Sequence, residues 1–113
     1  MKHVIAFIQD HKLRQVTHAL HGVEGLTGAT VLSVRGFGRT HYAKEGHDIT
    51  EELELLSQRV RLDVFCTDDR VEAVIETIRS AAHTGLRGDG KVYVAPVEDA
   101  LRIETGERGE QAI

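Results

Sequence analysis

The chain has 113 residues, a formal net charge of −4 and a single cysteine, which fits one domain in a reducing, cytoplasmic compartment. The acidic balance, with three Phe, two Tyr and no Trp, argues against nucleic acid as a partner, because phosphates attract basic surfaces and unpaired bases stack on aromatic rings. The longest apolar run, Val4 to Ile8, is far shorter than the roughly 20 residues of a membrane span, and no secretory leader is visible, so we expect no direct membrane insertion.

The first half of the chain alternates strand and helix patterns. Lys2 to Gln9 carries a short β-branched apolar cluster and is predicted to be a strand buried on both faces. Asp10 is predicted to cap a helix from His11 to Val23, whose apolar residues recur at three- and four-residue intervals. A second strand is predicted from Thr30 to Arg35, and a long loop follows.

The second half repeats the alternation. Apolar residues alternate from Arg59 to Cys66, which predicts a third strand with Cys66 as a small core residue and not a reactive thiol. Asp68 or Asp69 is predicted to cap the next helix. The apolar stripe of that helix is Val71, Val74, Ile75, Ile78 and Ala82. Lys91 to Val97 is predicted as the fourth strand, and Leu101 to Glu104 as an added edge strand.

This order of elements predicts an α+β fold, a ferredoxin-like βαββαβ sandwich in which two helices cover one face of an antiparallel sheet. The first, third and fourth strands carry apolar residues at successive positions, so the second face of the sheet must also be buried. We therefore expect another subunit to cover it.

The stretch from Thr84 to Val94 places three glycines and two cations between a helix and a strand. Glycines let backbone N–H groups approach phosphate oxygens, and Lys91 adds a mobile charge, so the pattern fits an anion cradle. Val92 stands where a P-loop needs Ser or Thr, and a strand follows instead of a helix, which argues against a P-loop NTPase. The alternative is a tight turn after a helix C-cap at Gly85.

The same stretch, extended to Glu98, resembles the C-terminal motif of the PII signal-transduction proteins. Three further segments resemble the family: Met1 to Leu13, Gly28 to Arg39 and Leu101 to Glu107. The resemblance covers nearly the whole chain and is weakest between Thr40 and Gln58. It implies a PII-like domain over residues 1–113, a homotrimer, and a long flexible loop over residues 37–58.

The resemblance also implies an adenine nucleotide, ATP or ADP with AMP as a further candidate, bound in clefts between subunits. By position, the phosphates would be held by Arg39, Gly88, Asp89, Gly90, Lys91 and Arg102, with Thr30, Gly38 and Phe65 near the base or ribose. Glu104 replaces an arginine of the family's closing strand. A negative charge beside a polyphosphate is unfavourable, so a weakened preference for the triphosphate is expected unless Glu104 pairs with Arg87 or Arg102.

The long loop departs further from the family. Thr40 replaces the glutamine that supports a metal, which argues against a 2-oxoglutarate site built on Mg–ATP and leaves Mg²⁺ itself open. The aligned position of the modifiable tyrosine is Glu52, and Tyr42 lies too early in the loop. Thr40, Tyr42 and Glu52 are expected to contact a target. His41 and His47 could bind a metal ion, but the stronger expectation is that they are solvated loop histidines.

The leading interpretation is a binding and signalling protein and not an enzyme: nucleotide occupancy changes the loop, which regulates a membrane transporter or an enzyme. Slow ATP hydrolysis remains open. One alternative is a trimeric divalent-metal sensor of related fold. Another is an acylphosphatase-like enzyme, which the absence of any Asn makes a poor fit. The sequence does not name the target or the pathway.

Overall fold

The computed structural model describes residues 1–38 and 56–113. The strands and helices are β1 (Lys2–Gln9), α1 (Leu13–His21), β2 (Thr30–Gly36), β3 (Ser57–Cys66), α2 (Val71–Ala82) and β4 (Gly90–Pro96). The strands form one sheet in the order β2-β3-β1-β4, and each neighbouring pair is antiparallel. The predicted ferredoxin-like arrangement is confirmed.

The core lies between the two helices and one face of the sheet. Side chains in a strand alternate between faces, so the regular alternation of β1 and β3 gives each strand one fully apolar side. The buried apolar residues are Val4, Ala6, Ile8, Val16, Leu20, Val60, Leu62, Val64, Cys66, Val71, Val74, Ile78 and Ala82. Both predicted helix stripes and the core position of Cys66 are confirmed, and burial raises the pKa of the Cys66 thiol.

The opposite face of the sheet, here called the bare face, has no helix over it in the described residues. His3, Ile5 and Phe7 of β1 point to this face and are half-buried, while Phe65 and Tyr93 are 44% and 51% exposed. Within one chain, then, β1 is buried on one face only. The exposed aromatic area is what a second copy would cover.

The starts of both helices differ from the sequence prediction. Asp10 lies inside a short 3-10 turn, Asp10–Lys12, which is preceded by Gln9 as N-cap without a side-chain cap bond. Asp68 and Asp69 likewise lie inside the 3-10 turn Asp68–Arg70. A residue that is already in the turn has helix-like backbone angles, so its carboxylate does not take the N-cap position. The predicted aspartate caps are therefore wrong.

The C-terminal residues 99–113 form a hairpin-like arm, here called the C-terminal arm, and the predicted edge strand from Leu101 to Glu104 is wrong. The arm has one isolated bridge, between Leu101 and Arg108, and does not join the sheet. The chain reverses because Gly106 N–H donates to the carbonyl oxygen of Arg102 (2.8 Å). An ion pair between Asp99 and Arg108 joins the two sides of the arm.

The remaining corrections are small. β3 begins at Ser57, so the last two residues of the loop predicted over residues 37–58 belong to the strand. β2 extends to Gly36, and β4 begins at Gly90 instead of Lys91. Among the described residues, no helix has the length and apolar character to cross a membrane.

Candidate functional site

The site residues lie at opposite ends of the sheet. The loop end comprises the predicted residues 88–91 together with Gln9 and Arg59; the cavity end comprises the predicted residues Thr30 and Phe65 together with Asp63 and the C-terminal arm. Gln9 and His3 mark the two ends on β1, since Gln9 pairs with Arg59 and His3 pairs with Phe65. They are six residue steps apart along the strand, which is about 20 Å at the usual rise per residue.

At the loop end, the carbonyl oxygen of Gly88 is the meeting point of three segments. It accepts a hydrogen bond from Arg59 Nη1 (2.5 Å) and one from Gln9 Nε2 (2.9 Å). Gly88 itself has a φ of +86°, which favours glycine. The glycine loop is thereby fixed to β1 and β3, and a guanidinium lies beside it.

Gly90 is required by packing as well as by backbone conformation. Its φ is +115°, and a Cβ built on it would lie 1.8 Å from the carbonyl oxygen of Phe7. No side chain fits in that space. This close approach of β4 to β1 explains the glycine without any ligand.

Asp89 holds the loop in shape. Its carboxylate accepts hydrogen bonds from the backbone N–H of Thr84 (2.9 Å) and from the Thr84 hydroxyl, and His83 Nδ1 lies 3.1 Å away. The Thr84 hydrogen bonds lower the pKa of the Asp89 carboxyl. The alternative prediction of a helix C-cap at Gly85 is wrong, because α2 ends at Ala82 with His83 as C-cap.

Lys91 lies on the bare face, opposite Phe7 of β1, and Phe7 is in turn opposite Arg61 of β3. Arg61 and Lys91 therefore flank Phe7 on the two neighbouring strands, so the aromatic ring has a positively charged residue on each side. The Arg61 guanidinium lies 5.9 Å from the centre of the Phe7 ring, and Tyr93 meets that ring edge-on at 6.2 Å. The exposed Lys91 ammonium adds a second positive group near the glycine loop.

The cavity end encloses a cavity of about 540 Å³ between the start of β2, the end of β3 and the C-terminal arm. Two of the three residues that the sequence analysis expected near the base or ribose, Thr30 and Phe65, line it, and Gly38 does not. The remaining lining residues are Thr27, Gly28, Ala29, Asp63, Val97, Asp99, Ala100, Leu101, Ala112 and Ile113. A largely apolar cavity with a few polar groups is typical of small-ligand sites.

An ionic cluster that the sequence analysis missed supports this cavity. Asp63, only 9% exposed, accepts two hydrogen bonds from Arg61, from Nε to Oδ2 (3.0 Å) and from Nη2 to Oδ1 (2.9 Å). His3 Nε2 lies 2.5 Å from Oδ1 of the same carboxylate. The Arg61 hydrogen bonds hold the pKa of Asp63 below its usual range. The sequence pattern that could have indicated this cluster is the run of charged residues at alternate positions of β3, Arg59, Arg61 and Asp63.

The C-terminal arm places Arg102 beside the cavity and Glu104 in the exposed turn of the arm, not beside the glycine loop. Arg102 Nη2 donates to the carbonyl oxygen of Ile113 (3.2 Å), and Ile113 lines the cavity. Among residues 1–38 and 56–113, Glu104 forms no ion pair with Arg87 or Arg102. The expected pairing that would mask its charge is therefore not found within one chain.

The other predicted residues are placed as follows. Gly38 follows the end of β2 and is exposed at the same end of the sheet as Ser57, whose partner is Gly36. Outside the described residues lie Arg39, Thr40, His41, Tyr42, His47 and Glu52. In the part of the chain that is described, no group of three or more His, Cys, Asp or Glu could hold a metal ion.

Comparison with known proteins gives a consistent result. The family model "Nitrogen regulatory protein P-II" matches residues 1–107. The chain is 44% identical over 113 residues to the nitrogen regulatory protein P-II of Azospirillum brasilense and equally to that of Rhizobium meliloti, with 100% of each chain covered. A crystal structure of Arabidopsis thaliana PII bound to citrate is similar with a TM-score of 0.80 and 38% identity, covering 99% of this chain and 91% of that one.

Proposed function

Since the chain belongs to the nitrogen regulatory protein P-II family, whose members are regulatory signalling proteins and not enzymes, we propose that it binds ATP or ADP in clefts between its copies. The occupied and empty clefts would differ in how they hold the loop of residues 37–58. That loop would then bind or release a target, a transporter or an enzyme. The acylphosphatase alternative is set aside by the family assignment.

The observation that carries the proposal is the separation of the two ends. Gly88, Asp89, Gly90 and Lys91, which are predicted to hold phosphates, lie at the loop end, and Thr30 and Phe65, which are predicted near the base or ribose, lie about 20 Å away along the strands. Two predicted residues lie at the other end from their group: Arg102 is at the cavity end, and Gly38 is at the loop end. A single small ligand contacts both groups only if they come from different copies. Joining the loop end of one copy to the cavity end of the next uses two different surfaces, and such head-to-tail contacts close into rings, of which the trimer is one.

The loop end suits phosphate groups. Backbone N–H groups of a glycine loop can surround an anion, and the Arg59 guanidinium and the Lys91 ammonium add charge-assisted donors. Asp89 is turned towards Thr84, so its negative charge is partly satisfied within the loop. The citrate of the Arabidopsis structure is also a polyanion, which supports an anion-binding role for the family.

The cavity end suits a planar base and a ribose. Phe65 offers an aromatic face that is 44% exposed, and Thr30 and Asp63 supply polar groups at the rim. Base stacking on an aromatic ring is sequence-tolerant, so polar groups near the ring decide which base is preferred. The C-terminal arm lies along this end, and in the proposed cleft its Arg102 would be available to the phosphates held by the neighbouring copy.

Transmission to a target would begin where the loop leaves the sheet. β2 ends at Gly36 and β3 begins at Ser57, and these two residues are paired in the sheet. The Ser57 hydroxyl also donates to the Gly36 carbonyl oxygen (3.2 Å). The same end of the sheet holds Arg59 and the glycine loop. A phosphate bound there would lie next to both roots of the loop, so ligand binding and loop conformation share contacts.

Complementation between two inactive variants tests the proposal. Lys91→Ala damages the loop end and Phe65→Ala damages the cavity end, so we expect each alone to bind ATP weakly in calorimetry. After refolding as a mixture, about a quarter of the clefts combine an intact loop end with an intact cavity end from different copies. Those clefts should bind with wild-type affinity.

The control is the double variant, Lys91→Ala with Phe65→Ala in one chain, mixed with itself, which regains nothing. If the mixture of single variants also regains nothing while wild-type protein refolded in the same way binds ATP, the cleft lies within one chain. If the wild-type protein shows no heat with ATP or ADP, the nucleotide itself is wrong.

A further inference from the structure

His3 contacts two separate groups of the cavity end at once. Its ring stacks on Phe65 with the ring centres 4.3 Å apart and an angle of 18° between the planes. Its Nε2 lies 2.5 Å from Asp63 Oδ1. The side chain is 20% exposed, so it is largely held in this position.

Both partners of His3 line the 540 Å³ cavity, whereas His3 itself does not. It therefore acts on the cavity only through the ring of Phe65 and the carboxylate of Asp63. Arg61 holds the same carboxylate from the other side with two hydrogen bonds. Without His3, one face of the Phe65 ring would lose its cover and Asp63 would keep a single partner.

We propose that His3 is a positioning residue for the base-binding end of the cleft: it holds the Phe65 ring and the Asp63 carboxylate where a base would meet them. This inference rests on the proposed nucleotide function and specifies how one end of that site is held in shape. The stacking contact and the hydrogen bond act on different neighbours, so one side chain fixes both the aromatic face and a polar group of the cavity end.

His3 lies at the cavity end of β1, where it pairs with Phe65, whereas the glycine loop is bonded to Gln9 and Arg59 at the other end. A change at His3 should therefore alter the base-binding end and leave the loop end unaffected.

Two variants separate the two contacts. His3→Phe keeps a ring to stack on Phe65 and loses the donor to Asp63; His3→Gln keeps a donor and loses the ring. Calorimetry would measure the affinity for ATP and for inorganic tripolyphosphate, which has phosphates and no base. We expect His3→Phe to weaken ATP binding roughly tenfold and His3→Gln about two- to tenfold, with tripolyphosphate affinity unchanged.

The comparison of the two ligands gives the readout that a purely structural role would not move. A variant that disturbed the fold or the assembly would lose affinity for ATP and for tripolyphosphate alike, whereas a positioning role at the base-binding end lowers the affinity for ATP alone. Light scattering checks that each variant keeps the wild-type mass.

Two results would overturn the inference: wild-type ATP affinity in both variants, or equal losses for ATP and tripolyphosphate. Binding of tripolyphosphate without tighter binding of ATP would show that the base site is elsewhere. If the wild-type protein bound neither compound, the proposed function would fail before the role of His3 is reached.

Discussion

The two ends of the sheet hold their groups in different ways. At the loop end the groups held in place belong to the backbone: Gly90 lies against the Phe7 carbonyl, and the Gly88 carbonyl accepts hydrogen bonds from Gln9 and Arg59. At the cavity end the group held in place is a side chain, the Asp63 carboxylate, which His3 and Arg61 both contact. The loop end thus depends on a steric contact and on hydrogen bonds to the backbone, and the cavity end on hydrogen bonds and charge between side chains.

This difference between the two ends matches the chemistry of the groups that they are proposed to bind. Phosphate is nearly spherical and accepts hydrogen bonds in all directions, so a fixed ring of N–H groups serves it well. A base is planar and differs from other bases only in its edges, so side chains that can be exchanged or titrated are the natural means of discrimination. The loop end should tolerate little change, and the cavity end should be adjustable.

The largest expected effect tests the steric half of this comparison. Gly90→Ala forces a Cβ to within 1.8 Å of the Phe7 carbonyl oxygen at a φ of +115°. We expect a loss of at least about 3 kcal/mol in the free energy of unfolding, or no folded protein, because β4 must separate from β1. Urea denaturation gives the value. Gly28→Ala at the cavity end, where nothing lies within 4 Å, is the control and should cost less than about 1 kcal/mol.

The second prediction concerns binding at the loop end. Lys91→Ala removes a mobile positive charge beside the glycine loop and should weaken ATP binding by about 1.5–3 kcal/mol, roughly ten- to a hundredfold. Tripolyphosphate binding should weaken by a similar factor, in contrast to the His3 variants. Calorimetry measures both ligands. Lys12→Ala, at the start of α1, controls for net charge, and an equal loss there would mean that Lys91 acts only at long range.

The third prediction uses pH to test the hydrogen bonds between the Asp89 carboxylate and Thr84 inside the glycine loop. Since the Thr84 hydrogen bonds lower the pKa of Asp89, its carboxylate stabilises the fold above the ordinary aspartate pKa, and this contribution is lost as the pH falls through the folded-state value. Asp89→Asn should lower the free energy of unfolding at pH 7, and the difference from wild type should vanish in acid. Urea denaturation at pH 7, 5 and 3 would show this. A difference that stays constant across the series contradicts it, and Asp10→Asn, an exposed aspartate, is the control.

The smallest expected effect concerns the C-terminal arm. Glu104 is exposed and unpaired with Arg87 or Arg102 among the described residues, so its charge is available to repel a polyphosphate held by the next copy. Glu104→Arg should raise the ratio of ATP to ADP affinity by a few-fold at low salt, and added salt should reduce the gain. Competition titrations measure the ratio. Glu24→Arg makes the same change in net charge elsewhere, and an equal gain in that variant would remove the local explanation.

The strands were predicted well from the sequence, because the pattern that indicates a strand lies within the strand itself. β1 was placed at its observed bounds, and the other strands within two residues, since alternation of apolar residues follows the burial of one face. The stripe of α2 was also identified, with Ile75 at its border. Helix starts were less well predicted, because a 3-10 turn and an N-cap accept the same residues.

The site was predicted as a set of residues and not as an arrangement. Gly88, Gly90 and Lys91 were named as phosphate ligands, but the contact that requires Gly90 is with Phe7, more than eighty positions earlier in the sequence. The His3–Asp63–Arg61 cluster depends on the pairing register of β1 and β3, which no local pattern fixes. The edge strand at Leu101 failed because Gly106 turns the chain back before it can pair.

The order of the strands leaves β2 and β4 on the outside of the sheet. An unpaired outer strand is a template for any other extended chain, so a newly synthesised copy has two places at which aggregation can start. A neighbouring copy that covered the border of β2 or of β4 would remove such a template. Assembly would then protect the chain as well as build its clefts, and the yield of soluble protein after refolding should depend on how quickly copies meet.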